Sequence, residues 1–236
     1  MTSNDQKVDD EIIDAKNGDD TKEQCSIPFN YPTTMGIFGA TLSGKTTWCK
    51  KMIEQSKQLF TKPITKILFC YGMYQDALEN MKCNINNFYL HAGLPSRETI
   101  DDFTKDKSHS MIVLDDLQQE MCKDAQMEKL FTQLAHHLNL TVVFMANNLF
   151  YKNFSRTITV NLHVLIIFRN ARDAQQIRCL ARQLYPLNSE KFINAYLDAT
   201  KKPYGYLVVD LSPMTNDQLR LRTNIFVGED PIIYKL

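Results

Sequence analysis

The chain has 236 residues, of which 44% are hydrophobic and 23% are charged, and its formal net charge at pH 7 is zero. This composition is typical of a soluble globular protein, and the length suits one sizeable α/β domain with a small extension. The longest apolar runs, such as Leu162 to Phe168, are far shorter than the roughly 20 residues that cross a bilayer, so we expect no membrane partner.

The first 24 residues differ in composition from the rest. They carry eight acidic and three basic side chains and few apolar ones, which leaves 24 basic and 19 acidic side chains in the remainder. Such a segment buries too little apolar surface to offset the entropy of ordering it. We therefore predict a disordered acidic tail over residues 1–24 and one folded domain over residues 25–236.

Short apolar runs alternate with helix-length segments through the folded part. The predicted strands are Met35–Phe38, Lys66–Tyr71, Asn87–His91, Ser110–Leu114, Thr141–Met145, Val164–Phe168 and Tyr206–Asp210. The predicted helices are Lys45–Phe60, Asp124–Leu138 and Asp173–Leu184. This alternation predicts an α/β fold in which a mostly parallel sheet has helices on both faces.

The segment GATLSGKT, from Gly39 to Thr46, fits the phosphate-binding loop pattern GxxxxGK[ST] with no departure. In this pattern backbone N–H groups and the lysine hold the phosphates, and the last hydroxyl is a ligand of Mg²⁺. The alternative is a glycine-rich turn without a ligand, but the predicted strand before the loop and helix after it favour a nucleotide site. The residues expected to bind ATP are Gly39, Ala40, Thr41, Leu42, Ser43, Gly44, Lys45, Thr46 and Thr47.

Hydrolysis also needs an acidic group for Mg²⁺ and a group that activates water. The run MIVLDDL ends a predicted buried strand with Asp115 and Asp116. We assign Asp115 to the metal, together with Thr46, and Asp116 to the water, with Glu120 as the fallback base. The alternative is that the two aspartates cap the following helix.

The run TVVFMANNLF ends the next predicted strand with two amides, Asn147 and Asn148. An amide there can hydrogen-bond the γ-phosphate or the attacking water, and we choose Asn147 for this catalytic role. A turn that uses either side chain locally is the alternative. An arginine would complete the charge stabilisation, and Arg156, Arg169 and Arg172 lie in the right region.

With these motifs placed, the chain from about Pro28 to Phe226 resembles the viral genome-packaging ATPases of the FtsK/HerA superfamily. The poxvirus-like group of large DNA viruses and polinton or adintovirus-type elements is the most similar, because ANNLF, FRNARD and GYLVVDL follow one another in that order. The resemblance implies a P-loop NTPase of the additional-strand class. Two positions depart from the superfamily: Asp116 stands where glutamate is usual, and Asn147 stands where related sensor strands often end in glutamine.

The resemblance also implies a Mg²⁺-dependent ATPase that forms a homo-oligomeric ring and drives double-stranded DNA into a capsid. Its expected partners are DNA, bound without base reading, and capsid portal or vertex proteins. The basic residues that could touch DNA phosphates are Arg178, Arg182, Lys201, Lys202, Arg220 and Arg222. The alternative is that each of them is an ordinary solvated charge of a helix or loop.

Two other functions stay open at this stage. A nucleoside or small-molecule kinase also uses a phosphate-binding loop in a chain of this length, but no arginine-rich lid segment is evident. A nucleotide-gated DNA-binding module would need no catalytic base. The six cysteines include no CxxC pair and the N-terminus has no secretory pattern, so we expect an intracellular protein. The resemblance implies that the cell is an infected host cell, with virion association as a further expectation.

Overall fold

The computed structural model describes residues 27–150, 155–172 and 174–236. The predicted acidic tail lies outside the described residues, and so does Asp173, the first residue of the third predicted helix. Within the described ranges, no helix has both the length and the apolar character that a bilayer span requires.

The strands of the described chain form one nine-stranded sheet in the order β3-β2-β4-β5-β1-β6-β7-β8-β9. The strands from β3 to β6 in this order are parallel, and β7, β8 and β9 continue the sheet antiparallel. Their bounds are β1 Thr34–Phe38, β2 Lys66–Tyr71, β3 Phe88–Ala92, β4 Ser110–Asp115, β5 Leu140–Ala146, β6 Val164–Phe168, β7 Tyr206–Asp210, β8 Leu221–Thr223 and β9 Ile232–Tyr234. Because β5 lies between β1 and β4, the sheet has the additional-strand order.

Helices cover both faces of the sheet. They are α1 Lys45–Glu54, α2 Ser56–Leu59, α3 Asp76–Asn84, α4 Arg97–Thr104, α5 Gln118–Met121, α6 Ala125–Lys129, α7 Ala135–His137, α8 Arg156–Val160, α9 Ala174–Leu184 and α10 Ser189–Ala199. Alternate residues of the central strands enter opposite cores: Ile112 and Leu114 pack with α6 and α9, whereas Met111 and Val113 pack with α1 and α3. The fold class predicted from the sequence, a mostly parallel sheet between two helical layers, is confirmed.

The predicted strands are close to the observed ones. Three have the predicted bounds (β2, β6 and β7), β1 and β4 differ by one residue at one end, and β3 and β5 differ by one residue at each end. They were recognisable because strands buried on both faces are continuous apolar runs. The short strands β8 and β9 were not predicted, since three residues carry too little pattern.

The predicted helices differ more from the observed ones. The expected helix Lys45–Phe60 is interrupted at Gln55. At the end of α2, the Leu59 carbonyl accepts a hydrogen bond from the backbone N–H of Phe29 at 2.7 Å, which joins this short helix to the distant lead-in segment. The expected helix Asp124–Leu138 is helical from Ala125 to His137, with Asp124 as its N-cap, and its middle turn, Leu130–Leu134, is a π-helix.

Candidate nucleotide-binding site

The carboxyl ends of β1, β4 and β5 meet at one edge of the sheet. Phe38 at the end of β1 is in register with Ala146 of β5, and Asp115 at the end of β4 is in register with Met145. The backbone N–H of Gly39 donates to the Ala146 carbonyl at 3.3 Å, which joins the start of the phosphate-binding loop to the end of β5. Parallel pairing therefore brings three separate sequence motifs to one edge, where ligands of open α/β sheets bind.

The two motif glycines of the loop are required by its shape. A β-carbon on Gly39 would lie 2.6 Å from both Phe168 and the Ser43 hydroxyl. Gly44 begins α1 in the left-handed region, with φ of 102°, where a side chain would add strain. The loop closes on itself as Ser43 N–H donates to the Ala40 carbonyl at 3.1 Å. Of the nine residues predicted to bind ATP, Gly39 to Gly44 form a tight turn and Lys45, Thr46 and Thr47 form the first turn of α1, an arrangement that suits an anion.

The Lys45 ammonium connects the loop to the neighbouring strand. Its Nζ donates to the carbonyls of Gly39 at 2.7 Å and Ala40 at 3.1 Å, and to Oδ1 of Asn147 at 2.9 Å. Burial lowers the pKa of Lys45, and the charges of Asp115 and Asp116 counter that effect. The amide chosen from the sequence as the sensor is therefore in direct contact with the phosphate-binding lysine.

Asp115 and Asp116 both line the same cleft as the loop. Burial raises the pKa of the Asp115 carboxyl to about 6, and Asp116 adds to this shift while Lys45 opposes it. Asp116 is exposed, and its φ of 55° turns the chain sharply after β4. The next helix, α5, begins after Leu117 without a side-chain cap, so helix capping does not account for either aspartate.

The residues at this edge fit a magnesium ion. A buried carboxylate is destabilised unless a positive group compensates it, and Asp115 faces the cleft that Thr46 also lines. Within the described part of the chain, no cluster of three or more His, Cys, Asp or Glu side chains could hold a metal by itself. Mg²⁺ at phosphate sites is held by one or two protein oxygens together with phosphate oxygens and water. Thr46 and Asp115 are the residues that would hold it.

The cleft has a volume of about 950 Å³ and extends past the loop to an aromatic cluster that the sequence motifs did not indicate. Its far end is lined by Trp48, Tyr204 and Phe226, beside the ion pair between Lys51 and Glu229 at 2.5 Å. Trp48 could have attracted attention as the single tryptophan of the chain, three positions after the motif lysine. Nothing in the local pattern marks Tyr204, Phe226 and Glu229, because they come from distant parts of the chain, and Lys51 is one of several lysines on and near α1.

None of the described residues that line this cleft is an arginine. Arg156 opens α8 and lines a second cleft of about 380 Å³, together with Phe38, Leu149 and Leu180. Arg169 follows β6 and Arg172 precedes α9, and both are exposed. The structure therefore does not bring the three predicted arginines to the phosphate site of their own chain, and their catalytic role stays a prediction.

Three of the six residues suggested for DNA contact are engaged within the fold. Arg222 is buried and pairs with the equally buried Asp210 at 2.9 Å, so its selection as a DNA contact was wrong. Arg220 is mostly buried, donates to two carbonyls and pairs with Asp217, while Lys201 pairs with Asp198. The sequence did not indicate that Arg222 is buried, because the strand that contains it has only three residues and shows no recognisable apolar pattern. Four of the six are exposed, namely Arg178, Arg182, Lys201 and Lys202, and of these Lys201 is in the ion pair with Asp198.

Comparison with known proteins gives a structural relationship only. No protein-family model matches the chain, and no curated protein matches its sequence. The chain is similar to B204, the DNA-packaging ATPase from Sulfolobus Turreted Icosahedral Virus, with 12% identity and a TM-score of 0.51 over 86% of this chain and 97% of that one. At this identity the similarity establishes the fold, which is that of a P-loop ATPase.

Two further solved structures are similar at lower scores. One is the genome packaging NTPase B204 from Sulfolobus turreted icosahedral virus 2 in complex with ATP-gammaS, with 14% identity and a TM-score of 0.49 over 86% of this chain and 96% of that one. The other is the KaiC-like protein PH0186 from Pyrococcus horikoshii OT3, with 10% identity and a TM-score of 0.43 over 86% and 89% of the two chains.

Proposed function

We propose that this protein is a Mg²⁺-dependent ATPase that translocates double-stranded DNA and packages a viral or virus-like genome into a capsid. The observation that carries the enzymatic part is the contact between Lys45 and Asn147, in the cleft that Asp115 and Asp116 also line. It unites a phosphate-binding group, an amide sensor and two carboxylates in one place, whereas a simple glycine-rich turn would need none of them.

The side chains divide the work of hydrolysis. The loop amides and Lys45 hold the β- and γ-phosphates, and Thr46 and Asp115 hold Mg²⁺, which supplies charge neutralisation on the phosphate oxygens when bound. Asn147 orients the attacking water, and Asp116 accepts its proton as the new oxygen–phosphorus bond forms and the bond to the bridging oxygen of ADP breaks. Asp116 suits this role because it is exposed to the cleft and is not used as a helix cap.

DNA packaging is supported by two observations. The sequence order of ANNLF, FRNARD and GYLVVDL resembles the poxvirus-like packaging ATPases, and the fold extends over 97% of a viral DNA-packaging ATPase. The exposed Arg178 and Arg182 are four residues apart on α9 and could touch DNA phosphates. We therefore propose a homo-oligomeric ring that acts in the infected cell with capsid portal or vertex proteins as partners.

The decisive experiment measures ATP turnover with and without duplex DNA, together with the mass of the oligomer in a non-hydrolysable ATP analogue. We expect ring formation and DNA-stimulated turnover. Lys45→Ala should lower turnover by about 10²-fold or more, because it removes the charge that faces the phosphates. Lys57→Ala is the matched control, since Lys57 is exposed on α2, outside the cleft.

Each alternative function has its own result in this experiment. Phosphate transfer to a nucleoside without a response to DNA would indicate a kinase. Nucleotide-dependent DNA binding without turnover would indicate a gated binding module. If Lys45→Ala binds and hydrolyses ATP as well as the unaltered chain, the proposed nucleotide site is wrong.

A further inference from the structure

Tyr204 is an exposed aromatic residue at the mouth of the nucleotide cleft. Tyr204 is 71% exposed and lies in the turn between α10 and β7. The turn is fixed, because the backbone N–H of Gly205 donates to the Lys202 carbonyl at 3.0 Å. An exposed tyrosine on a well-anchored turn at the edge of a pocket presents a flat surface to a ligand.

The ring of Tyr204 lies against Gly44, the residue that precedes α1. A β-carbon on Gly44 would be 3.1 Å from Cδ1 of Tyr204, which is tighter than ordinary contact. Two segments about 160 positions apart therefore meet where the loop becomes α1. Tyr204 lines the same cleft as the phosphate-binding loop, so the nucleoside of a triphosphate held by this loop would share the cleft with the tyrosine ring.

The backbone of Tyr204 is in an unfavourable conformation. Its φ is 63°, in the left-handed region that bulky side chains seldom occupy. Such a conformation costs free energy and often marks a functional position. Here it directs the ring toward the cleft and away from the hydrophobic core, although the neighbouring Tyr206 is buried in that core.

The charged groups at this end of the cleft are already paired. Lys51 Nζ contacts Oε1 of Glu229 at 2.5 Å, and Oε2 of Glu229 accepts from the Tyr206 hydroxyl at 3.3 Å and the Phe226 backbone at 3.4 Å. Groups engaged in this way are poorly available for hydrogen bonds that distinguish one base from another. Stacking, in contrast, accepts any base because every base has a flat π surface.

We infer that Tyr204 binds the base of the nucleoside triphosphate by stacking, so that the site holds nucleotides with little selection between adenine and guanine. This inference rests on the proposed nucleotide-binding function and adds a residue and a specificity to it. Tyr204 contributes affinity through its ring, and the loop around Lys45 contributes affinity through the phosphates. The two contributions are separable by ligands that lack one of them.

The test measures equilibrium binding of ATP, GTP and inorganic tripolyphosphate, which has phosphates but no base. Tyr204→Ala should weaken ATP and GTP by about 5- to 100-fold, the range expected for loss of one base–aromatic stack, and leave tripolyphosphate unchanged. Tyr204→Phe keeps the ring and should retain the affinity for ATP. Tyr89→Ala is the matched control, because Tyr89 is 51% exposed but lies on the edge strand β3.

The inference is overturned if Tyr204→Ala binds ATP as tightly as the unaltered chain. It is equally overturned if the substitution weakens tripolyphosphate as much as ATP, since Tyr204 would then only support the loop at Gly44. A preference between ATP and GTP above about 10-fold would contradict base recognition by stacking. If the unaltered chain binds neither ATP nor tripolyphosphate, the proposed nucleotide site itself fails, and that result is distinct from the first three.

Discussion

Lys45 and Asn147 are 102 positions apart in the chain, and their side chains are joined by a hydrogen bond of 2.9 Å. This contact gives a physical basis for nucleotide sensing. A phosphate that binds Lys45 competes with the amide for the same ammonium group, and the amide is then free to turn toward phosphate or water. In the proposed nucleotide site, Asn147 is therefore the residue that we expect to respond most directly to the state of the nucleotide.

Replacing Asn147 with Ala should lower the kcat of ATP hydrolysis by at least about 10-fold, because it removes a polar group placed beside the transferred phosphate. Asn148→Ala should change kcat little, since Asn148 is exposed and the contact with Lys45 belongs to its neighbour. Steady-state kinetics of the two variants tests this difference. Equal kcat values for both variants would remove Asn147 from the mechanism.

His109 is a second residue with a testable property, and it lies at the opposite edge of the sheet. Its ring is 1% exposed and bonds the Lys62 carbonyl and the Thr141 hydroxyl, both at 2.8 Å. Burial lowers the pKa of His109 to about 4. The unfolded chain takes up this proton near pH 6.5, so the folded state has a stability contribution above that pH which is lost progressively as the pH falls toward 4.

We expect His109 to contribute a decrease on the order of 1–2 kcal/mol to the free energy of unfolding, measured with urea, between pH 7.5 and pH 5, while the raised pKa of Asp115 acts in the opposite direction below pH 6. His109→Gln removes the titrating ring and should flatten this part of the pH dependence. His163 should retain a smaller dependence in the same direction, because burial lowers its pKa as well. An unchanged pH profile in His109→Gln would show that the proton is taken up elsewhere.

At the scale of elements, the antiparallel extension from β7 to β9 does more than enlarge the sheet. The segment after β8 returns to α1: the backbone of Val227 donates to Gln55 at 2.8 Å, and Glu229 pairs with Lys51. The C-terminal part of the chain thereby braces the helix that carries Lys45. The buried pair of Arg222 and Asp210 joins β8 to β7 at the base of this extension.

Removing one partner of this pair leaves an uncompensated buried charge. Arg222→Met or Asp210→Leu alone should lower the free energy of unfolding by about 3–5 kcal/mol, and the double variant by less than the sum of the two. Denaturant unfolding of the three variants measures this. The folded fraction of Arg222→Met should bind DNA as tightly as the unaltered chain. Arg182→Ala should leave the free energy of unfolding unchanged and weaken DNA binding. Weaker DNA binding by Arg222→Met and unchanged binding by Arg182→Ala would instead support Arg222 as a DNA contact.

At the scale of the whole molecule, the proposed nucleotide cleft contains the two carboxylates, the amide and the lysine that hydrolysis would need. None of its described lining residues is an arginine. Arg156, Arg169 and Arg172 are all exposed. Exposed arginines that do not reach the cleft of their own chain are available to the cleft of a neighbour. A ring arrangement would therefore account for both observations.

We expect one of Arg156→Ala, Arg169→Ala and Arg172→Ala to lower ATP turnover by roughly 10³-fold while it leaves ATP binding intact, as loss of an arginine supplied in trans does. Mixing that variant with Lys45→Ala should restore part of the activity, because mixed rings contain clefts with an intact lysine and a neighbour's intact arginine. Turnover assays on the variants and mixtures test this. Lack of recovery in every mixture would argue against a shared site.

The amino-acid sequence by itself determined the fold class, the phosphate-binding loop and the edge residues Asp115 and Asn147. These features depend on local pattern: doubly buried strands are apolar runs, and the loop needs glycines at set positions beside Lys45. The contact between Lys45 and Asn147, the burial of Arg222 and the placement of Tyr204 against Gly44 were decided only by the tertiary structure. Each joins segments that are separated in the chain, and which side chains meet depends on strand order and register, which no local pattern encodes.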